Sequence, residues 1–434
     1  MLRHLRATIE PHRRTIGRVV LACAGVAVSL LVVGGSIRVL GPQDPPSANA
    51  PTSGTTTLGW TAQVESAVTG LALEEDALYV TGAQLTVFPT SCRTVDDVCT
   101  TSWRATVPDG PLSAPSVDGG RVFAGSSRGE VYAFPSTCDA SGCPPEWVGV
   151  AGEGRVSQPA VNDDFVYVTS DRLYAFPAAC ATDDMACPPA WTARVPGGPA
   201  AGPPALGDGL VVVASSSTRG GIVAFPAVCG ERCRPVWTGR TDGPATSVAI
   251  GDGVAYVVAR GGLMAFPLSC SDRCQPEWRG AFLPGAPFAT GASSPPVAAG
   301  DRVLVGDDRG MLWVFPSSCD SSRCEPFASF EVATTPLHTP VADGDVVVST
   351  SANGRVVVVD LACRPDETQS PVPQTAAPGS TATEASASVA PTEEPCEPLA
   401  ARMLGAPSSA GPAVDEEAVY AADERGTVLA VPRA

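Results

Sequence analysis

Apolar and polar positions alternate in short runs along most of the chain, and Gly, Asp and Ser separate the runs. Residues 114–150 show the pattern. A short run ends at Val117, Asp118-Gly119-Gly120 is a turn, and residues 121–125 alternate again. Ser126-Ser127-Arg128-Gly129 is a second turn, residues 130–135 form a third run, and residues 146–150, with Trp147, form a fourth. A period of two bounded by turn residues predicts strands, and Asp-Gly between them predicts tight hairpins. Residues 19–37 depart from this pattern: they carry no charge and lie between Arg18 and Arg38. A helix of that length spans about 28 Å, close to the hydrocarbon core of a bilayer.

The four-run unit repeats. Its third run ends in a recurrent phrase: TVFP at Thr86, YAFP at Tyr132 and Tyr174, VAFP at Val223, MAFP at Met264 and WVFP at Trp313. Degenerate copies follow at Val357 and Leu429. The central position falls at 88, 134, 176, 225, 266, 315, 359 and 431, so the period is 41–49 residues until an insertion lengthens the last gap. Such a period with several short strands per unit predicts a β-propeller. An aromatic also recurs in the fourth run: Trp60, Trp103, Trp147, Trp191, Trp237, Trp278 and Phe327, with the stretch near Leu399 as an eighth. The last unit, 412–432, has three runs, and residues 58–64 supply an isolated fourth. Pairing them closes a ring and hides two sheet edges. The expected fold is all-β: an eight-bladed propeller of four-stranded antiparallel blades over residues 57–434, preceded by a transmembrane helix.

Charge sharpens the expected topology. The chain has 434 residues and net charge −17, but residues 1–40 carry six Arg and one Glu. A basic flank stays cytoplasmic. Residues 1–18 are therefore expected inside the cell, 19–40 in the membrane, 41–56 as a Pro/Ser/Thr linker, and the propeller outside. A cleavage site suited to a signal peptide is lacking near the apolar stretch, since Ala48-Asn49-Ala50 lies too far downstream, and Cys23 has too short an apolar run before it for a lipoprotein. The acidic outer part argues against nucleic-acid binding.

Fourteen of the fifteen cysteines follow the phrase in local pairs: Cys92/Cys99, Cys138/Cys143, Cys180/Cys187, Cys229/Cys233, Cys270/Cys274, Cys319/Cys324 and Cys363/Cys396. One pair per blade in a chain with three His predicts disulfides in an oxidising compartment rather than zinc sites. These staples are expected to hold each outer hairpin in register. The last pair encloses residues 364–395, a Pro/Ser/Thr-rich insertion with a disordered composition.

Val131-Tyr132-Ala133-Phe134-Pro135 followed by Trp147 resembles the repeat of the pyrroloquinoline-quinone-like β-propeller family, with a cysteine hairpin where that family has a Thr-Gly turn. The resemblance implies the propeller fold and Ala and Trp positions that lock neighbouring blades. It also implies several functions, because the fold hosts dehydrogenases, outer-membrane assembly lipoproteins and sensor domains. The family's dehydrogenases use a quinone cofactor, a calcium ion, a catalytic Asp and often adjacent cysteines. Here no two cysteines are adjacent, and the first-strand ends read Ala-Pro, Gln-Pro, Pro-Pro, Ser-Pro and Thr-Pro. No catalytic, cofactor or metal residue is assigned, and no cofactor is expected.

Arg stands near the second-to-third strand turn in seven units: Arg128, Arg172, Arg219, Arg260, Arg309, Arg355 and Arg425. A ring of guanidinium groups would bind carboxylates or phosphates; equally, these are turn residues beside acids such as Asp171, Asp307, Asp308 and Glu424. The fourth-run Trp residues are expected to pack blades rather than stack sugars. His338 has no visible partner for a triad, and Asp343-Gly344 lacks the spacing of a calcium loop. The expected function is a membrane-anchored, monomeric interaction scaffold or ligand sensor of the cell envelope that binds an envelope protein or a wall polymer. A quinone-dependent dehydrogenase and a wall-glycan-binding module are the alternatives.

Overall fold

The computed structural model describes residues 59–92, 98–108, 110–139, 142–180, 185–218, 220–230, 233–259, 262–282, 294–362 and 398–433. The expected tail, membrane helix and linker, and the 364–395 insertion, lie outside the described residues. Among the described residues no helix is long and apolar enough to cross a membrane.

The strands form eight sheets, one per sequence unit. Blade I is Gly70–Glu74, Ala77–Thr81, Gln84–Pro89 and Trp103–Thr106; blade II is Ser116–Asp118, Arg121–Gly125, Glu130–Pro135 and Trp147–Val150. Blade III is Ala160–Val161, Phe165–Thr169, Leu173–Pro177 and Trp191–Ala193; blade IV is Ala200–Gly207, Leu210–Ser215, Ile222–Pro226 and Trp237–Gly239. Blade V is Ala245–Gly251, Val254–Ala259, Gly262–Pro267 and Trp278–Ala281; blade VI is Val297–Ala299, Arg302–Gly306, Met311–Pro316 and Ala328–Glu331. Blade VII is Val341–Asp343, Val346–Thr350, Arg355–Asp360 and Ala400–Met403. Blade VIII joins Ala413–Val414, Ala418–Ala422 and Thr427–Pro432 to Trp60–Gln63, with Trp60 opposite Ala430 and Gln63 opposite Thr427. The ring is thus closed by strands from both ends of the propeller. The tight turns between first and second strands put Asp208 and Asp252 at φ 49° before a glycine with positive φ, as a hairpin turn matched to strand twist requires.

Each blade buries its second and third strands and packs against the next in a separate apolar cluster, one cluster per seam. In the II/III seam Trp147 stacks on Phe176 at 6.0 Å and donates from Nε1 to the Ala178 carbonyl at 3.2 Å. Trp60 and Trp237 do the same to Thr90 and Leu268 of the next blade. Blades I, III and V carry a Tyr in the second strand, and there the hydroxyl takes the equivalent carbonyl: Tyr79 donates to Ser136, Tyr167 to Ala227 and Tyr256 to Ser317, at 2.9–3.1 Å. Trp191 and Trp278 then keep a buried Nε1 without a partner. In blades III and V the tyrosine thus takes the carbonyl and the indole goes without, whereas in blade VIII Tyr420 donates to Asp415 and Trp60 keeps the carbonyl.

Two outer-strand positions differ from the sequence reading. Trp147 pairs with Ala133; the same register in blades VI and VII pairs Val314 with Ala328 and Val358 with Ala400. Ala328 and Ala400, not Phe327 and Leu399, therefore occupy the tryptophan position. Phe327 is 43% exposed and lies under the Arg302 guanidinium, and Leu399 is 50% exposed.

Six of the expected cysteine pairs are described: Cys92–Cys99, Cys138–Cys143, Cys180–Cys187, Cys229–Cys233, Cys270–Cys274 and Cys319–Cys324. Their Cα–Cα separations are 5.4–6.1 Å, within the range of a disulfide. Cys363 and Cys396 lie outside the described residues.

The hairpins that these staples close also reach the preceding blade. Ala186–Cys187 of the blade III hairpin pairs in parallel with the outer strand of blade II. Asp272–Cys274 pairs in the same way with blade IV, and Arg323–Cys324 with blade V. Cys143 N donates to Arg104 O of blade I, and Val98 bridges Thr61 of blade VIII. Each of these hairpins covers the exposed edge of the preceding blade, the part of a sheet most prone to unwanted pairing. Cys233 departs from this pattern. Among the described residues it belongs to no strand, and the blade III sheet ends at Trp191–Ala193. Cys229 and Cys233 instead pack, partly buried, against the apolar cluster of the III/IV seam. Only three residues separate them, whereas six separate Cys180 from Cys187.

Candidate interaction face

The propeller's two faces carry different connections. On one, the second-to-third strand turns meet the loops that link consecutive blades. Gly129, Gly310, Gly354 and Gly426 accept from Ala151, Val332, Leu404 and Val64, at 2.6–2.9 Å. Gly129 has φ 106°, and a Cβ there would collide with the Gly152 carbonyl. Glycine is therefore dictated by the fold, while the preceding side chain is left at the surface. Arg128, Arg309 and Arg425 hold that preceding place. Arg172 and Arg355 stand two places later, at the start of the third strand, so the predicted arginines are not equivalent positions of one ring. Arg219 and Arg260 lie outside the described residues.

Their surroundings also differ. Arg172 pairs with Asp171 at 3.0 Å and lies over the Tyr174 ring, whose hydroxyl donates to Asp171 at 2.6 Å. Burial alone would raise the Asp171 pKa, but the bonds from Tyr174 and Arg172 outweigh it and hold it lowered, while burial and the carboxylate push Tyr174 up to about 12. Arg309 and Arg425 are exposed and make no ion pair among the described residues.

The loops of blades II to IV border a cleft of about 320 Å³ that the sequence reading did not identify. Arg155 is exposed at this cleft and makes no ion pair among the described residues; Gln158 and Thr169 contribute amide and hydroxyl groups. Ser170 adds a buried Oγ without a hydrogen-bond partner. One cation beside neutral donors and acceptors suits a carboxylate-bearing peptide better than a densely charged polyanion. Arg155 has no counterpart in the repeat, so periodicity gave no signal for it.

A recurrent loop serine stands in the cleft wall at Ser113 and Ser157 and recurs before blade VI. Ser113, Ser157 and Ser294, each two residues before a proline, accept the backbone N–H of Gly125, Thr169 and Gly306 at 2.8–3.0 Å. His338 takes the same place before blade VII. Its Nε2 lies 2.8 Å from the Ser408 carbonyl in the loop before blade VIII, and burial lowers its pKa. His338 thus bridges two blades.

On the opposite face, the cysteine hairpins meet the first-to-second strand turns; three cations at those turns and strand ends are paired, whereas Arg234, Arg273 and Arg323 on the hairpins are exposed and make no ion pair among the described residues. Arg121 bonds Glu146 at 2.6 Å, Arg302 bonds Asp345 at 2.6 Å, and Arg433 bonds Asp343. The inter-blade-loop face is the one that carries the Arg155 cleft.

Residues 188–434 match the PQQ-like family model described as outer membrane protein assembly factor BamB. The chain belongs to this family. Among solved structures, BamB from Moraxella catarrhalis is 16% identical, with a TM-score of 0.55, over 86% of this chain and 98% of that one. Sqt1 from Chaetomium thermophilum, solved bound to the N-terminus of ribosomal protein L10, is 12% identical with a TM-score of 0.62, over 86% and 99%. The computationally designed Ika8 protein is 11% identical with a TM-score of 0.64, over 87% and 99%. At these identities the likeness is one of fold. No curated protein matches the chain.

The family's quinoprotein chemistry requires a calcium ion held by oxygen ligands. Among the described residues no three His, Cys, Asp or Glu side chains cluster so as to hold a metal. The donor set does not fit that ion, and no step is derived through it.

Proposed function

We propose that this chain is a protein-interaction scaffold of the cell envelope. Residues 19–40 tether it to the membrane, and it binds a protein partner on the inter-blade-loop face. The observation that carries this reading is the polar cleft on the loop face, where Arg155, exposed and without an ion pair among the described residues, stands beside neutral donors and acceptors. Uncommitted guanidinium groups beside neutral donors favour a peptide bearing a carboxylate. The family description as an assembly factor and the Sqt1 complex with a ribosomal-protein segment support a protein partner. An oxidising compartment follows from reading the paired cysteines as disulfides, since such bonds persist outside the cytosol.

The test is photo-crosslinking in the native membrane. A crosslinker at Gln158, which lines the cleft, should capture one defined protein, and Arg155→Glu should weaken that capture. The same crosslinker at Asp301, on the hairpin face, should not capture it. Equal capture from both faces, or capture unchanged by Arg155→Glu, would overturn the assignment of the face. Capture of wall polymer instead would favour the glycan-binding reading.

A further inference from the structure

The outer strands of blades I and V each carry an arginine as their second residue, Arg104 and Arg279. Each meets an acid from the loop that leaves the preceding blade: Arg104 lies 3.3 Å from Glu65, and Arg279 lies 3.4 Å from Asp242. Each pair lines a cleft, of about 220 Å³ beside blade I and about 290 Å³ beside blade V. The two clefts therefore hold equivalent places in the repeat.

They differ in charge, and the hairpin of the following blade makes the difference. Arg323–Cys324 lies in parallel on the outer strand of blade V, with Arg323 opposite Arg279 and Cys324 opposite Gly280. Arg279 N donates to Ser322 O at 2.9 Å and fixes that register. Trp278 and Cys324 are buried in the V/VI seam, and Gly280 lies against Phe315 there. Side chains alternate across a strand, so Arg279 and Arg323 turn together to the other side, into the cleft. On blade I the residue before the second cysteine is Gly142, which brings no charge. Among the described residues, the ionisable groups lining the blade I cleft are Glu65 and Arg104, which cancel. Those lining the blade V cleft are Asp242, Arg279 and Arg323, which leave one cation in excess. The chain that adjoins these strands in sequence, residues 260–261 and 283–293, contains no acid. Like charges directly opposite on neighbouring strands are destabilising, so this arrangement costs stability unless an anion joins it.

We infer that the blade V cleft binds a singly charged phosphate group, a phosphodiester, between Arg279 and Arg323. Two guanidinium forks side by side can surround the oxygens of a tetrahedral phosphate, whereas a planar carboxylate is filled by one fork. Asp242 already fills that part for Arg279, and the single cation left over matches a single negative charge. This inference does not depend on what the inter-blade-loop face binds.

Titration calorimetry on the full chain tests it, at fixed ionic strength, with glycerophosphoglycerol as a soluble diester. The wild type should bind it saturably, and Arg323→Gln should weaken binding by about tenfold or more. Arg104→Gln, in the equivalent cleft, should leave binding unchanged. Without the diester, Arg323→Gln should not lower the unfolding midpoint, because it relieves a repulsion; a lower midpoint would overturn the reading of the pair as strained. Absence of saturable binding, an equal loss in both variants, or displacement of the diester by an equal concentration of acetate would overturn the inference. Phosphatidylglycerol vesicles separate two sources of the same group. Displacement of the soluble diester by vesicles would support the site as one for a lipid headgroup, and saturable binding that vesicles do not displace would support it as one for a soluble phosphodiester.

Discussion

Between blades II and III, Trp147 stacks on Phe176 and bonds the Ala178 carbonyl, and the buried cluster includes Phe123, Tyr174 and Cys187. Between blades VII and VIII, Ala400 stands in the tryptophan position and Val431 in that of the phenylalanine, and the buried cluster is four valines and an alanine. The second seam is joined mainly by polar groups: His338 to Ser408, Thr350 Oγ1 to Ala410 O at 2.9 Å, and Arg433 to Asp343. The repeat specifies where strands go, but either apolar area or hydrogen bonds can join them. The two kinds of seam respond differently to solvent. Apolar burial is nearly indifferent to pH, whereas a seam held by an imidazole and an ion pair is not.

The largest effect should come from breaking an aromatic seam. Trp147→Ala should cost about 3–5 kcal/mol in urea unfolding, through lost area and the cavity left behind. Ala400→Gly, at the equivalent position, should cost under about 1 kcal/mol. Equal losses would mean that the two seams are not the distinct classes described above.

The acid response comes next. Burial holds the His338 pKa below its value of about 6.5 in the unfolded chain. The neutral ring is favoured in the fold, so its contribution is present above pH 6.5. It is lost as pH falls from there toward the lowered folded value, because the unfolded chain takes up the proton first. The unfolding midpoint should therefore drop between pH 7 and pH 5, and the drop should shrink in His338→Gln. A drop of the same size in the variant would assign the acid sensitivity elsewhere.

The smallest effect separates the two donors that serve a seam carbonyl. Tyr167→Phe frees the Ala227 carbonyl for the unpartnered Nε1 of Trp191 and should cost less than about 1 kcal/mol. Trp147→Phe has no such substitute, since Phe123 stands where the tyrosine would be, and should cost about 1–3 kcal/mol. A larger loss in Tyr167→Phe than in Trp147→Phe would refute the exchange of donors.

The blade count, the strand order and the ring closure were legible in the sequence because each rests on a repeated local pattern: Gly and Asp at turns, period-two alternation, and one phrase per blade. The blade VI position was taken one residue early, at Phe327, and the blade VII position was located only as the stretch near Leu399. Phe327 and Leu399 adjoin Ala328 and Ala400 and are the larger apolar side chains, and only the pairing with Val314 and Val358 fixes the frame. The cysteine pairing was readable as local staples, but its reach onto the preceding blade was not, since a contact between units leaves no mark on the spacing within a unit. Cys233 illustrates this, for it keeps the spacing of the other second cysteines without lying in a strand among the described residues. Arg155 was invisible for a related reason. It belongs to one loop, and a reading by repeats averages away what occurs once. The predicted arginines were found through their place near a recurrent turn, and that place is informative about the fold rather than about a ligand.

Closure by strands from both ends has a consequence for biogenesis. Trp60 and Ala430 are about 370 residues apart, so the contact that completes the ring is among the most distant the chain can make, and such contacts form late and slowly. A chain emerging N-terminus first presents Trp60–Gln63 long before its partner strands exist. Until blade VIII is made, the nascent propeller is an open arc with two unpaired edges. Its maturation is therefore set by the last strand to be synthesised, and truncation near Val431 should be more damaging to assembly than the few residues lost would suggest.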